Sequence, residues 1–232
     1  MQAQIKVICF HQQDQAPDLS LLSAPEQDRF HKMSAARGRV FALGRGALRC
    51  ELAAVLGGAP AHVPLVQTDQ GPTLGLDEGQ KAPGFSVSHS GDYIAVALST
   101  DAGMIGLDIE DISALGDEAQ NSDIIMGRHD YRKIITRYFH PSEQKWIAAQ
   151  PWPERAFYKL WTLKEAITKM ERGAIAHYLK GVEIDAGHDP VTLTGLTPTG
   201  RDICHLYSYD VPPVMISVAA DQPCQVEIKM LT

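Results

Sequence analysis

Apolar positions recur along the chain with two periods, near two and near 3.6 residues, and these divide it into strands and helices. The run from Ile5 to Phe10 reads as a first strand, followed by a polar loop through Pro17. Ser23-Ala24-Pro25-Glu26 has the form of a capping box with proline in the first helical turn. It predicts a long helix with Phe30, Met33, Val40, Leu43, Ala47 and Leu48 toward a core, stopped by Gly57-Gly58. Residues 59–84 are polar and rich in glycine and proline, and read as a long loop. Residues 85–90 and 93–98 flank Gly91-Asp92 as a hairpin, and residues 104–110 form a third strand.

A polar stretch covers 111–123. A helix follows with Ile124, Ile125, Tyr131, Ile134 and Ile135 apolar and Arg128, Arg132, Lys133 and Arg137 basic, then a short helix ending at Ala149. Pro153 opens a second long helix that Gly173 ends. Ala156, Leu160, Leu163, Ile167 and Met170 step by four and three residues and form its buried stripe. A second stripe, Glu154, Tyr158, Trp161, Glu165 and Lys169, combines aromatic, carboxylate and amine groups. Strand-like runs at 181–185, 191–194, 203–209, 214–219 and 225–230 complete the chain. The expected fold class is α+β, with two similar halves, 1–104 and 105–232. Each is a long helix on a small antiparallel sheet.

Composition narrows the class. The 232 residues are 44% hydrophobic and 21% charged, as in a globular protein, and carry a formal net charge of −7. An excess of acid argues against a nucleic-acid partner, which needs a basic footprint, but leaves room for a local basic patch. Cys9, Cys50, Cys204 and Cys224 form no CxxC pair and no zinc spacing, and read as reduced thiols. The first residues lack the build of a signal peptide, and no apolar run approaches membrane-spanning length. A cytoplasmic protein without membrane contact is expected.

The chemistry is concentrated in a few segments. In a strand over 105–110, Asp108 and Glu110 point to one face while Leu107 and Ile109 point to the other. Two adjacent like charges are destabilising unless neutralised, and a hard divalent cation such as Mg2+ does so using one or two carboxylates. The first long helix carries Arg29, Arg37, Arg39, Arg45 and Arg49, with Arg45 and Arg49 on one face, a candidate anion site. Ser88-His89-Ser90, Gly106-Leu107-Asp108-Ile109-Glu110 and 161–169 together supply carboxylates, an imidazole, lysines and a hydroxyl. That set suits a metal-bridged phosphate and phosphoryl-type transfer. The chain has no GxxxxGK[ST] loop, no kinase signature and no dinucleotide-binding glycine fingerprint in strand–turn–helix context.

These three motifs, in this order, resemble the 4′-phosphopantetheinyl transferase superfamily, and within it the larger, pseudodimeric Sfp-like branch. The matching signatures are S-H-S at 88–90, G-L-D-I-E at 106–110 and W-x-x-K-E-A-x-x-K at 161–169. The resemblance implies transfer of the phosphopantetheine arm of coenzyme A to a serine of an apo carrier protein, with Mg2+ as cofactor and 3′,5′-ADP released. It implies Asp108, Glu110 and Glu165 as Mg2+ ligands and Lys169 on the phosphates. Glu165 or Glu143 is then the catalytic acid–base group. Ser88, His89, Arg45, with Arg39 as a second candidate, and Lys164 would contact coenzyme A.

The chain departs from the family where a Gly-Lys-Pro often precedes the S-H-S strand. Here Gln70-Gly71-Pro72 stands without the lysine, and Lys81 is the nearest substitute. The stretch between Glu110 and Tyr138 is longer than usual, and reads as a lid or part of the carrier surface. Arg128, Arg132, Lys133 and Arg137 are the expected basic face for an acidic carrier. A pseudodimer can act as a monomer. The remaining alternatives are a non-catalytic module binding coenzyme A or a carrier, and an unrelated Mg2+ phosphohydrolase.

Overall fold

The computed structural model describes residues 2–115, 131–188, 191–201 and 204–231, which fall into two compact units, 1–105 with 223–232, and 106–222. The first unit begins with β1 (Ala3–His11), α1 (Ala24–His31) and α2 (Ala35–Leu56). It continues with β2 (Leu65–Thr68), β3 (Gly71–Leu74), β4 (Gly84–Ser90) and β5 (Tyr93–Ser99). The second unit contains β6 (Ile105–Asp111), α3 (Tyr131–Tyr138), α4 (Pro141–Ala148), α5 (Pro153–Met170) and α6 (Ile175–Gly181). It ends with β7 (Glu183–Asp185), β8 (Thr192–Thr194), β9 (His205–Val211) and β10 (Val214–Ala220). The last strand, β11 (Cys224–Leu231), returns to the first unit.

In the first unit the strand order is β11-β1-β5-β4. β1 pairs antiparallel with β5 and parallel with β11, matching Ile5 to Val226 and Val7 to Ile228. Gly91 takes a φ of 55° in the β4–β5 turn, a conformation that glycine adopts without a Cβ penalty. Leu48 and Leu52 of α2 pack with Ile8, Val96 and Leu98 as the core of this unit.

The expected single helix over 24–56 is two. Ser34 is extended (φ −63°, ψ 154°) and caps α2, while Lys32 ends α1. The predicted capping box holds: Ser23 N donates to Glu26 Oε2 at 3.0 Å. The same oxygen accepts Arg49 Nε at 2.6 Å, which ties α1 to α2 and explains an arginine that is only 1% exposed. The loop expected at 59–84 contains the β2–β3 hairpin. Residues 223–232 lie outside the unit expected to span 105–232, because β11 satisfies the edge of β1. That parallel pair also makes the sheet mixed rather than antiparallel.

In the second unit β6, β10 and β9 form a sheet in that order. β10 is buried along its whole length, and α5 lies on it, joined by Thr162 Oγ1 and Ser217 Oγ at 2.7 Å. The predicted α5 stripe, from Ala156 to Met170, is buried throughout. Helix α6 was not expected; its seven residues, Ile175–Gly181, are too few to establish a helical period. The residues 124–130 of the predicted basic helix, Arg128 among them, lie outside the described residues. Among the described residues no helix is long and apolar enough to cross a membrane.

Candidate active site

Strand β6 buries Leu107 and Ile109 almost completely on its apolar side. That packing aims Asp108 and Glu110 the opposite way. Asp108 is itself buried and Glu110 half-buried. On α5, Glu165 and Lys169 are one turn apart and share a face. The two elements meet there: Lys169 Nζ donates to Asp108 Oδ1 at 2.7 Å, and Trp161 Nε1 donates to Glu110 Oε1 at 3.2 Å. Trp161 also lies against Phe157, with centroids 5.9 Å apart, so it is a packed residue with a polar edge.

Burial pushes the Glu165 carboxyl up to about 7, Asp108 adds to the rise, Lys169 opposes it and Glu110 adds a further increment. The three carboxylates and the ammonium therefore form one electrostatically coupled group. Its donors are hard carboxylate oxygens with excess negative charge, which suits a divalent cation such as Mg2+. Among the described residues no three His, Cys, Asp or Glu side chains stand at metal-ligand spacing.

The structure separates two expected site residues from this cluster. Lys164 is wholly buried, and its Nζ donates to Glu143 Oε1 at 2.9 Å, to Leu179 O at 3.0 Å and to Val182 O. Burial pulls its pKa down while Glu143 opposes the fall. Spent on three internal acceptors, Lys164 has no reach toward a coenzyme phosphate. Glu143 is equally engaged: Oε1 also accepts Ile184 N at 2.9 Å, and Oε2 accepts His140 N at 2.8 Å as part of the α4 capping box. These contacts bind α4, α5 and β7 together and make the pair structural.

The first unit holds a cavity of about 580 Å³ lined by Arg29, Arg37, Phe41, Arg45, Pro72 and His89, among others. Arg45 donates to Gln67 Oε1 at 3.0 Å, and its guanidinium stands 5.7 Å from the Phe41 centroid. Arg29 stands 5.0 Å from the same ring. Burial pulls the Arg45 pKa down, Glu26 holds it up, and Arg49 and Arg29 lower it further.

Of the four residues expected at coenzyme A in this unit, the structure puts Arg45 and His89 on the cavity. Ser88 is buried, and alternation along β4 turns it away from the side that Val87 and His89 present to the cavity. Arg39 spends its guanidinium on backbone, donating to Gln12 O at 2.6 Å and Gln15 O at 2.7 Å, and so pins the loop after β1. Lys81 is exposed and does not line the cavity. Arg29 and Arg37, members of the arginine cluster expected to hold an anion, also line it; Phe41 was not singled out from sequence, although 37, 41 and 45 step by four and mark one face of α2.

The described residues thus form a mixed α+β protein with a strand–helix carboxylate cluster in the second unit and an arginine-lined cavity in the first. The chain belongs to the 4′-phosphopantetheinyl transferase superfamily, whose family model matches residues 104–219, half of its length, including all of β6 and α5. It is similar to the 4′-phosphopantetheinyl transferase AcpT of Salmonella typhi, 37% identical over 102 residues, which are 43% of this chain and 45% of the relative. It is also similar to 4′-phosphopantetheinyl transferase HetI of Nostoc sp., 29% identical over 175 residues, 74% of this chain and 67% of that one. Against 4′-phosphopantetheinyl transferase Sfp of Bacillus subtilis the identity is 27% over 142 residues, 60% of this chain and 55% of Sfp. The matched region thus spans about half the length of AcpT and Sfp.

Proposed function

We propose that this protein transfers the 4′-phosphopantetheine arm of coenzyme A to a serine of an apo carrier protein, with Mg2+ and with release of 3′,5′-ADP. The observation that supports this reading is the convergence of Asp108 and Glu110 from β6 with Glu165 and Lys169 from α5. A divalent cation held by the carboxylates would neutralise pyrophosphate charge. Lys169, partly exposed beside Asp108, adds a point charge for the departing phosphate. The serine oxygen bonds to phosphorus as the bond to the 3′,5′-ADP oxygen breaks. Glu165, beside these groups, accepts the serine proton, directly or through water.

The arginine-lined cavity suits the nucleotide end of coenzyme A, with guanidinium groups for phosphate and Phe41 for an aromatic base. On α3, Arg132, Lys133 and Arg137 are exposed and offer a basic face to an acidic carrier. The four cysteines form no disulfide, which supports a reducing, cytoplasmic setting. A monomer is the expected form.

The test is incubation with coenzyme A, Mg2+ and several apo carriers, followed by intact-mass measurement. A carrier heavier by one phosphopantetheine supports transfer. Coenzyme bound but intact would identify a binding module, and release of free product without an acceptor would identify a hydrolase. Arg132→Glu with Lys133→Glu should raise KM for the carrier about tenfold and leave coenzyme A binding unchanged.

A further inference from the structure

Strand β6 passes α5 at backbone contact distance. A Cβ built on Gly106 would lie 1.9 Å from Ala166 O and 2.6 Å from Met170 N. Both atoms belong to the helix backbone, so neither can rotate out of the way as a side chain would. Any residue larger than glycine at 106 must push strand and helix apart. The close approach falls inside the polar cluster. Asp108 and Glu110 are two and four positions further along the strand, while Glu165 and Lys169 immediately precede the two backbone positions that Gly106 meets.

We infer that Gly106 is a positioning residue, whose missing side chain sets the spacing that brings the β6 carboxylates onto the α5 carboxylate and ammonium. The 2.7 Å Lys169–Asp108 contact and the 3.2 Å Trp161–Glu110 contact both cross this gap. Hydrogen bonds of that length do not survive a separation of about 1 Å. A shift of that size in a catalytic constellation costs about 100-fold in rate. The metal and rate arms of the test rest on the proposed transferase reading; the indole arm does not.

The experiment compares Gly106→Ala with Gly84→Ala in the full chain. Gly84 is a less severely crowded glycine in the first unit, where a Cβ would meet the backbone Ala102 O at 2.6 Å, and it serves as the control for adding a Cβ against backbone away from the cluster. The Trp161 indole N–H resonance, assigned with Trp161→Phe, should move in G106A toward its position in Glu110→Ala, and stay in place in G84A. Mn2+ affinity, measured by titration without substrate, should fall at least tenfold in G106A and less than twofold in G84A. The kcat of G106A should fall about 100-fold, with KM for coenzyme A within threefold. If G106A does not fold, the double variant G106A/A166G, whose helix glycine lets the 166 carbonyl tilt outward, should fold and recover part of the indole shift. A wild-type chain that binds no Mn2+ would sink the metal reading, while the indole resonance still decides the role of Gly106. A folded G106A with an unmoved indole resonance overturns the inference, as does a double variant as damaged as the single one.

Discussion

Lys169 Nζ lies 2.7 Å from Asp108 Oδ1 and joins the last turn of α5 to the middle of β6 across 61 positions of sequence. Asp108 is the buried member of the pair, with 7% of its side chain exposed against 30% for Lys169. The ammonium therefore compensates a carboxylate that water reaches poorly. Lys169→Met should leave that charge uncompensated and cost about 1–3 kcal/mol. Mg2+ should raise the unfolding temperature of the variant more than that of the wild type, because the cation replaces the lost charge. Transfer should fall by at least about 100-fold. Thermal unfolding with and without Mg2+ checks the first two outcomes; equal Mg2+ effects on both proteins would argue against a cation at Asp108.

Glu165 makes stability depend on pH. Its carboxyl is raised from 4.5 to about 7, first by burial and then by Asp108, against the pull of Lys169. Ionising it is harder in the folded protein than in the unfolded chain. Its stabilising contribution is thus complete below about 4.5 and is lost as pH climbs through 7. Between pH 5 and 8 the metal-free protein should lose stability relative to Glu165→Gln, by at most about 3 kcal/mol. Saturating Mg2+ should flatten that slope. Urea unfolding at three pH values measures it, and parallel curves for the two proteins would deny the shift.

Lys164 and Glu143 form a pair with both side chains fully buried. Removing one partner strands the other, so Lys164→Met should cost about 3–5 kcal/mol. The double variant K164M/E143Q should be less damaged than the sum of the two single changes. At a temperature where K164M remains folded, KM for coenzyme A should stay within threefold of wild type. A tenfold rise in KM would return Lys164 to the coenzyme.

Arg45 and Arg49, one turn apart on α2, should respond oppositely. Arg45 lines the cavity and also pairs with Glu26 at 3.4 Å, so Arg45→Ala should weaken coenzyme A binding about tenfold and cost less stability than Arg49→Ala. Arg49 donates to Glu26 and to the carbonyls of Pro60, Ala61 and Val63. Arg49→Ala should therefore lower the unfolding midpoint strongly and leave the affinity of the folded protein near wild type. Calorimetric titration and urea unfolding separate the two effects.

Much of the cluster on the second unit was legible in the sequence. The alternation through Ile109 put Asp108 and Glu110 on one face, and the four-residue step put Glu165 with Lys169. Those are local relations, set by backbone geometry within one element. Lys164, adjacent to Glu165, could not be placed the same way. Its fate depended on carbonyls of α6 and the residue after it, a helix with little periodic signal. Ser88 and His89 carried the same motif weight, yet neighbouring strand residues face opposite sides, and only the position of the cavity shows which side matters.

The chain's own pattern thus determined the α+β class, the stripe on α5, the capping box at Ser23 and the shared face of the two β6 carboxylates. Each follows from periodicity or capping within a few residues. Tertiary structure alone decided that β11 returns to β1, that Arg49 and Lys164 are buried partners of Glu26 and Glu143, and that α5 comes within backbone contact of Gly106. Those outcomes depend on contacts between segments far apart in sequence, where burial and partner geometry determine whether a charge stabilises the fold or remains available to a ligand.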